Sequence, residues 1–182
     1  MQTIQKILSL LKTLLGLNKQ KLETITAQEN IYESKSDPIE PKPIPLTNAE
    51  KIYKVAISYL GKDASSKDLA TDEFGCAESV SNIIHEVFPD FSAGVLSTAD
   101  LSVKLKQSKH FKQVLEPSEG AIIVSPRMAG IYGHCGIFMS EGGIASNNSN
   151  TGEFEVGYNW DTWIKTFGKN GRNLHTYIYE AI

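Results

Sequence analysis

The sequence predicts an α+β domain, and three observations carry that reading. An apolar helical stripe bears a cysteine on its first turn, two short strands joined by a glycine-rich turn follow, and no βαβ alternation is present. The chain has 182 residues, a formal charge of −3 and two cysteines. One domain plus an appendage suits that length. The charge gives no basic footprint, so nucleic acid is not expected as a partner. Two cysteines are too few for a disulfide scaffold, and no Cys/His cluster has zinc-ligand spacing.

Residues 1–25 read as an amphipathic helix, with Ile4, Ile7, Leu8, Leu11, Leu14 and Leu15 at three- and four-residue spacings. No apolar run approaches the ~20 residues that a membrane span needs. A clean secretory signal, with its small-residue cleavage site, is not evident. Three roles stay open for this helix: pairing with another helix, lying on a membrane surface, or docking on the domain. Residues 26–46 hold Pro38, Pro41, Pro43 and Pro45 and predict an extended, semi-rigid linker.

The domain proper is expected over 47–182. Thr47 and Glu50 have capping-box spacing, and Ile52, Val55, Ala56 and Tyr59 give a stripe that ends near Gly61. After a loop, Asp72 to Phe88 predicts the cysteine helix, with Asp72 or Gly75 as its cap and Glu78 in the first turn. Val80, Ile83 and Val87 fall within about 40° of Cys76 on the helical wheel. A thiol at a helix start feels unpaired N–H groups and the positive end of the dipole, which favour thiolate. From this helix alone, Cys76 is either a nucleophile or a small buried hydrophobe.

Pro89 and Gly94 mark the helix exit. Ser97–Lys106 predicts a short helix, Phe111–Leu115 a strand, and Ala121–Ser125 a buried strand after a turn at Pro117–Gly120. Ile131–Met139 and Gly142–Ser149 then read as a hairpin. His134, Gly136 and Phe138 share one face of its first strand, whereas Cys135, Ile137 and Met139 share the other. Cys135 therefore reads as a packing residue rather than a second nucleophile.

A two- or four-residue connection pairs Met139 with Ile144 and sets His134 opposite Ser149, with Asn147 one diagonal away. A slip of one residue puts Asn148 there instead. Cys76, His134 and Asn147 can thus supply nucleophile, base and a group that orients the base. Tyr132 shares the alternating face of His134 and is a candidate for the substrate cleft. Further on, Glu153–Asn159 predicts a strand, Asp161–Phe167 a short helix and Leu174–Ile182 a closing strand. Trp160 and Trp163 are either a platform for a ligand or core residues. His85, His110 and His175 have no matching partners and receive no role.

A cysteine opening a helix, the string Gly133-His134-Cys135-Gly136-Ile137, and a strand ending in a polar residue resemble the NlpC-type cell-wall peptidases. These are papain-like enzymes, and the cysteine- and histidine-dependent amidohydrolases are their neighbours. The stretch from Ser146 to Trp163 is similar to small phage-encoded peptidoglycan hydrolases, and the resemblance runs from about Asn48 to the C-terminus. Two departures stand out. Many members carry Cys-Ser-Gly where this chain has Cys76-Ala77-Glu78, and many carry histidine where asparagine is expected here.

The resemblance implies a papain-like, NlpC-type domain with the nucleophile helix packed on a small antiparallel sheet. It also implies peptidoglycan as partner and substrate, cut at an amide of the stem peptide or, as a close alternative, between the lactyl group and the first alanine. Acyl transfer by Cys76, His134 and Asn147 needs no metal or organic cofactor, and the Cys76 N–H is expected in the oxyanion hole. A phage particle or the host cytoplasm, with later access to the wall, is the implied location. Two other functions stay open: an effector hydrolysing protein or lipid amides with the same site, and an inactive binding module.

Overall fold

The computed structural model describes residues 45–65, 75–169 and 171–182. The expected helix over 1–25, nearly all of the linker over 26–46, and Asp72 as a cap lie outside the described residues. The described residues make an α+β fold of four helices and one six-stranded antiparallel sheet.

Helix α1 (Asn48–Tyr59) begins with the expected capping box: Thr47 Oγ1 accepts from the Glu50 N–H at 3.2 Å, and the Glu50 carboxylate accepts from the Thr47 N–H at 2.7 Å. Helix α2 (Gly75–Val87) buries Val80 and Ile83 of the stripe that the periodicity marked, with Ala77 and Ile84 beside them, while Val87 is half-buried. Helix α3 (Thr98–Gln107) is capped by Ser97, whose side chain accepts from the Ala99 N–H at 3.2 Å.

The strands are β1 (Phe111–Val114), β2 (Ile122–Ser125), β3 (His134–Phe138), β4 (Gly143–Asn147), β5 (Phe154–Asn159) and β6 (Tyr177–Ala181). Helix α4 (Trp160–Phe167) lies between β5 and β6 in the chain. The sheet order is β1-β6-β2-β3-β4-β5, so the last strand inserts between the first two. One apolar cluster joins α1, α2 and α3 to Cys135, Ile137 and Ala145. A second gathers Trp163 and Phe167 of α4 with Ile123, Ile144 and Ile178. Cys135 and Ile144 thus belong to opposite faces of the sheet.

The β3–β4 register departs from the expected one. Phe138 pairs with Ile144 and Ile137 with Ala145, and the Met139 N–H reaches the Gly143 carbonyl at 2.7 Å. The connection is a three-residue turn, Ser140–Gly142, in which Glu141 (φ 57°) and Gly142 (φ 77°) are both left-handed. An odd number of turn residues moves the pairing by one from the even-length hairpin, and one step exchanges the faces. Continued along the strands, this register sets Asn147 across from Cys135 and Asn148 across from His134. Asn147 is therefore not on the His134 face, and Ser149 is not opposite His134.

Candidate active site

Cys76 is the second residue of α2 and half-buried, with the N–H groups of its turn lacking intrahelical acceptors. β3 starts at His134, so Cys76 meets this strand at its end, where side chains of both faces reach it. His134 and Cys135 are the two residues that act on the Cys76 thiol. The thiol of Cys76 is held well below the ordinary thiol range, first by the Cys135 S–H and then by the imidazole of His134, against the upward push of burial. Cys135 moves the other way: burial, then its bond to Cys76 and the charge there, push its thiol well above the ordinary range. Both cysteines are free. Cys135 is thus buried, as expected of a packing residue, yet it acts on the thiol of the candidate nucleophile.

The imidazole of His134 rests in an aromatic box. Trp163 and Phe167 lie nearly parallel to it, with ring centroids at 5.4 and 5.3 Å and planes at 27° and 23°. Tyr158 meets it edge-on at 5.5 Å. Trp163 is itself fixed, because its Nε1–H donates to Ser125 Oγ at 3.1 Å and Ser125 bonds Thr176 at 2.9 Å. Trp163 is fully buried, so it is a wall of this box and not part of an exposed platform. Sequence reasoning missed Tyr158 and Phe167 in this place. The signal was available in their spacing: α4 follows β5 directly, which folds Trp163 and Phe167 back over the sheet face that carries His134.

Asn147 is 2% exposed and makes no hydrogen bond among the described residues. Its Nδ2 lies where a Cβ on Gly75 would approach to 2.7 Å. Asn148 is committed elsewhere: its amide donates to Glu155, and its Oδ1 accepts from the Asn150 N–H at 2.8 Å. Neither asparagine is hydrogen-bonded to His134.

Cys76, His134 and Asn147 line one cleft of about 250 Å³, together with Tyr132, Arg127 and Arg172. Tyr132 is thus at the cleft, though from the loop before β3 and not from the strand on which it was expected. Arg172 donates to the Tyr132 carbonyl at 2.8 Å and lies over the Phe167 ring at 5.1 Å, which ties the loop before β3 to the aromatic box. Gly133 lets that loop close: a Cβ there would come within 2.3 Å of the Ser125 carbonyl and 2.4 Å of the Arg127 nitrogen. The arrangement has a thiolate-biased sulfur, an imidazole lining the same cleft, and the first-turn backbone donors of α2 alongside, which is the equipment for acyl transfer. Comparison with models of known families finds no match, and comparison with curated proteins finds none either.

Proposed function

We propose that this chain is a papain-like, NlpC-type cysteine hydrolase that cleaves an amide bond of the peptidoglycan stem peptide. One observation carries the chemistry: Cys76, in the first turn of α2, lines one cleft with His134, and the imidazole is among the groups that hold its thiol well below the ordinary range. Cys76 attacks the amide carbon, and His134 takes the thiol proton and returns one to the leaving amine. Cys135 acts on the same thiol. The ring of His134 is oriented by Tyr158, Trp163 and Phe167, a task expected of Asn147 or Asn148. The choice of peptidoglycan, and a phage-encoded role in lysis or entry, rests on the likeness of Gly133–Ile137 and Ser146–Trp163 to that group of enzymes.

The test compares wild type with Cys76→Ala on purified Gram-negative sacculi, with released fragments identified by mass spectrometry. Digestion by wild type alone is expected, and the new termini distinguish endopeptidase from amidase cleavage. No release by a folded wild type removes peptidoglycan as the substrate.

A further inference from the structure

Asn147 combines near-complete burial with the absence of any hydrogen-bond partner for Oδ1 or Nδ2 among the described residues. An amide buried and unpaired is destabilising, so its retention calls for a cause. The side chain stands at the start of α2, where Gly75 gives it room: a Cβ there would meet Nδ2 at 2.7 Å. The same helix turn carries the Cys76 N–H, which has no acceptor within the helix itself. Asn147 also lines the cleft beside Cys76 and His134. Two donors, one fixed by a helix and one by strand β4, therefore border the sulfur, and the Asn147 amide has no partner among the described residues. The imidazole does not need Asn147, because the aromatic box holds it.

We propose that Asn147 is a catalytic residue whose Nδ2–H, together with the Cys76 N–H, binds the oxygen of the scissile carbonyl as it becomes anionic. The proposal rests on the thiol acyl-transfer reading, and not on peptidoglycan as the substrate. When the thiolate adds, the C–S bond forms and the π pair of the carbonyl moves onto oxygen, where the two donors receive it. Collapse restores the C=O bond and breaks the C–N bond, and the amine leaves with the proton held by His134. Water then adds to the thioester through the same oxyanion and expels the thiolate. A donor that is already desolvated and unpaired requires no reorganisation as charge develops.

The test uses two probes, iodoacetamide and N-acetylglycinal, on the full chain, with Asn147→Ala and the shape-preserving Asn147→Leu. The aldehyde forms a hemithioacetal with Cys76, whose oxygen occupies the oxyanion position. Both variants are expected to bind it about tenfold more weakly or worse. The rate of Cys76 alkylation by iodoacetamide and its pH midpoint are expected to match wild type. Unchanged aldehyde affinity overturns the proposal. A displaced alkylation midpoint does so too, since Asn147 would then act through His134. An amide with no partner has no bond to lose, so Asn147→Leu is expected to melt no lower than wild type, and a lower midpoint counts against the unpaired amide. If wild type binds the aldehyde but leaves sacculi intact, the substrate reading fails and the oxyanion site stands. No adduct with wild type overturns both.

Discussion

Cys135 and Cys76 displace each other's thiols in opposite directions, Cys76 well below the ordinary range and Cys135 well above it. Cys76 is displaced downward, so its thiolate persists as pH falls and is lost only below the lowered pKa. Cys135 is displaced upward and stays protonated where an ordinary thiol, near pH ~8.5, ionises. Iodoacetamide at about pH 6 is therefore expected to label Cys76 and leave Cys135 unmodified. Peptide mapping reads the site, and labelling that sets in only near the ordinary thiol pKa would sink the assignment.

Removing the Cys135 donor isolates its share. In Cys135→Ala the alkylation midpoint of Cys76 is expected to rise, with a several-fold slower rate at about pH 6 and curves that merge above pH ~9. Cys135→Ser keeps an O–H donor and is expected to move less. Identical profiles for wild type and Cys135→Ala would show that His134 alone tunes the nucleophile.

The aromatic box links stability to activity. Trp163→Ala empties a fully buried site and removes the Nε1–H bond to Ser125, for an expected loss of about 3–5 kcal/mol in urea unfolding. Phe167→Leu keeps most of the volume and is expected to cost about 1 kcal/mol. Its turnover on sacculi should fall further than that loss implies, because one stacked wall of the His134 ring is gone. Full turnover in Phe167→Leu would mean that another contact orients the ring.

Asn148 serves as the contrast to Asn147. Its amide pairs with Glu155 and its Oδ1 with the Asn150 backbone, so Asn148→Ala is expected to destabilise by about 1 kcal/mol. Turnover by the remaining folded protein should stay within a few-fold of wild type. A loss as large as that of Asn147→Ala would restore Asn148 to the site.

Gly75→Ala probes the same corner from the helix side. The added methyl would meet Asn147 Nδ2 at 2.7 Å and Ser65 Oγ at 3.2 Å, closer than a Cβ tolerates, so the amide must shift. Turnover is expected to fall with little change in the rate of Cys76 alkylation. Loss of both together would place the damage in the helix rather than in the amide.

Much of the frame was legible because its signals are local. Thr47 and Glu50 announce the first helix, and Val80, Ile83 and Ile84 mark the buried side of the second. The hairpin register was not legible, because it hangs on the left-handed backbone of Glu141, a residue type that seldom adopts it. Two- and four-residue turns were weighed, and the chain uses three. Alternation along β3 correctly separated Cys135 from His134 by face. It did not reveal that the strand end brings both to one sulfur, since that depends on where α2 abuts the sheet. The aromatic box and the cleft arginines come from segments remote in the chain, and spacing alone does not bring them together.

Strand β6 comes last in the chain and yet lies between β1 and β2. During synthesis the nucleophile and the base leave the ribosome well before Tyr177–Ala181. Until then one edge of β2 is open, and Thr176, which secures Ser125 and through it Trp163, is still in the exit tunnel. The nascent chain thus carries a thiol and an imidazole without the wall that aligns them. Closing the sheet requires a late, long-range strand insertion, a slow kind of step. The order of strands thus leaves the candidate site incomplete until the last strand is in place.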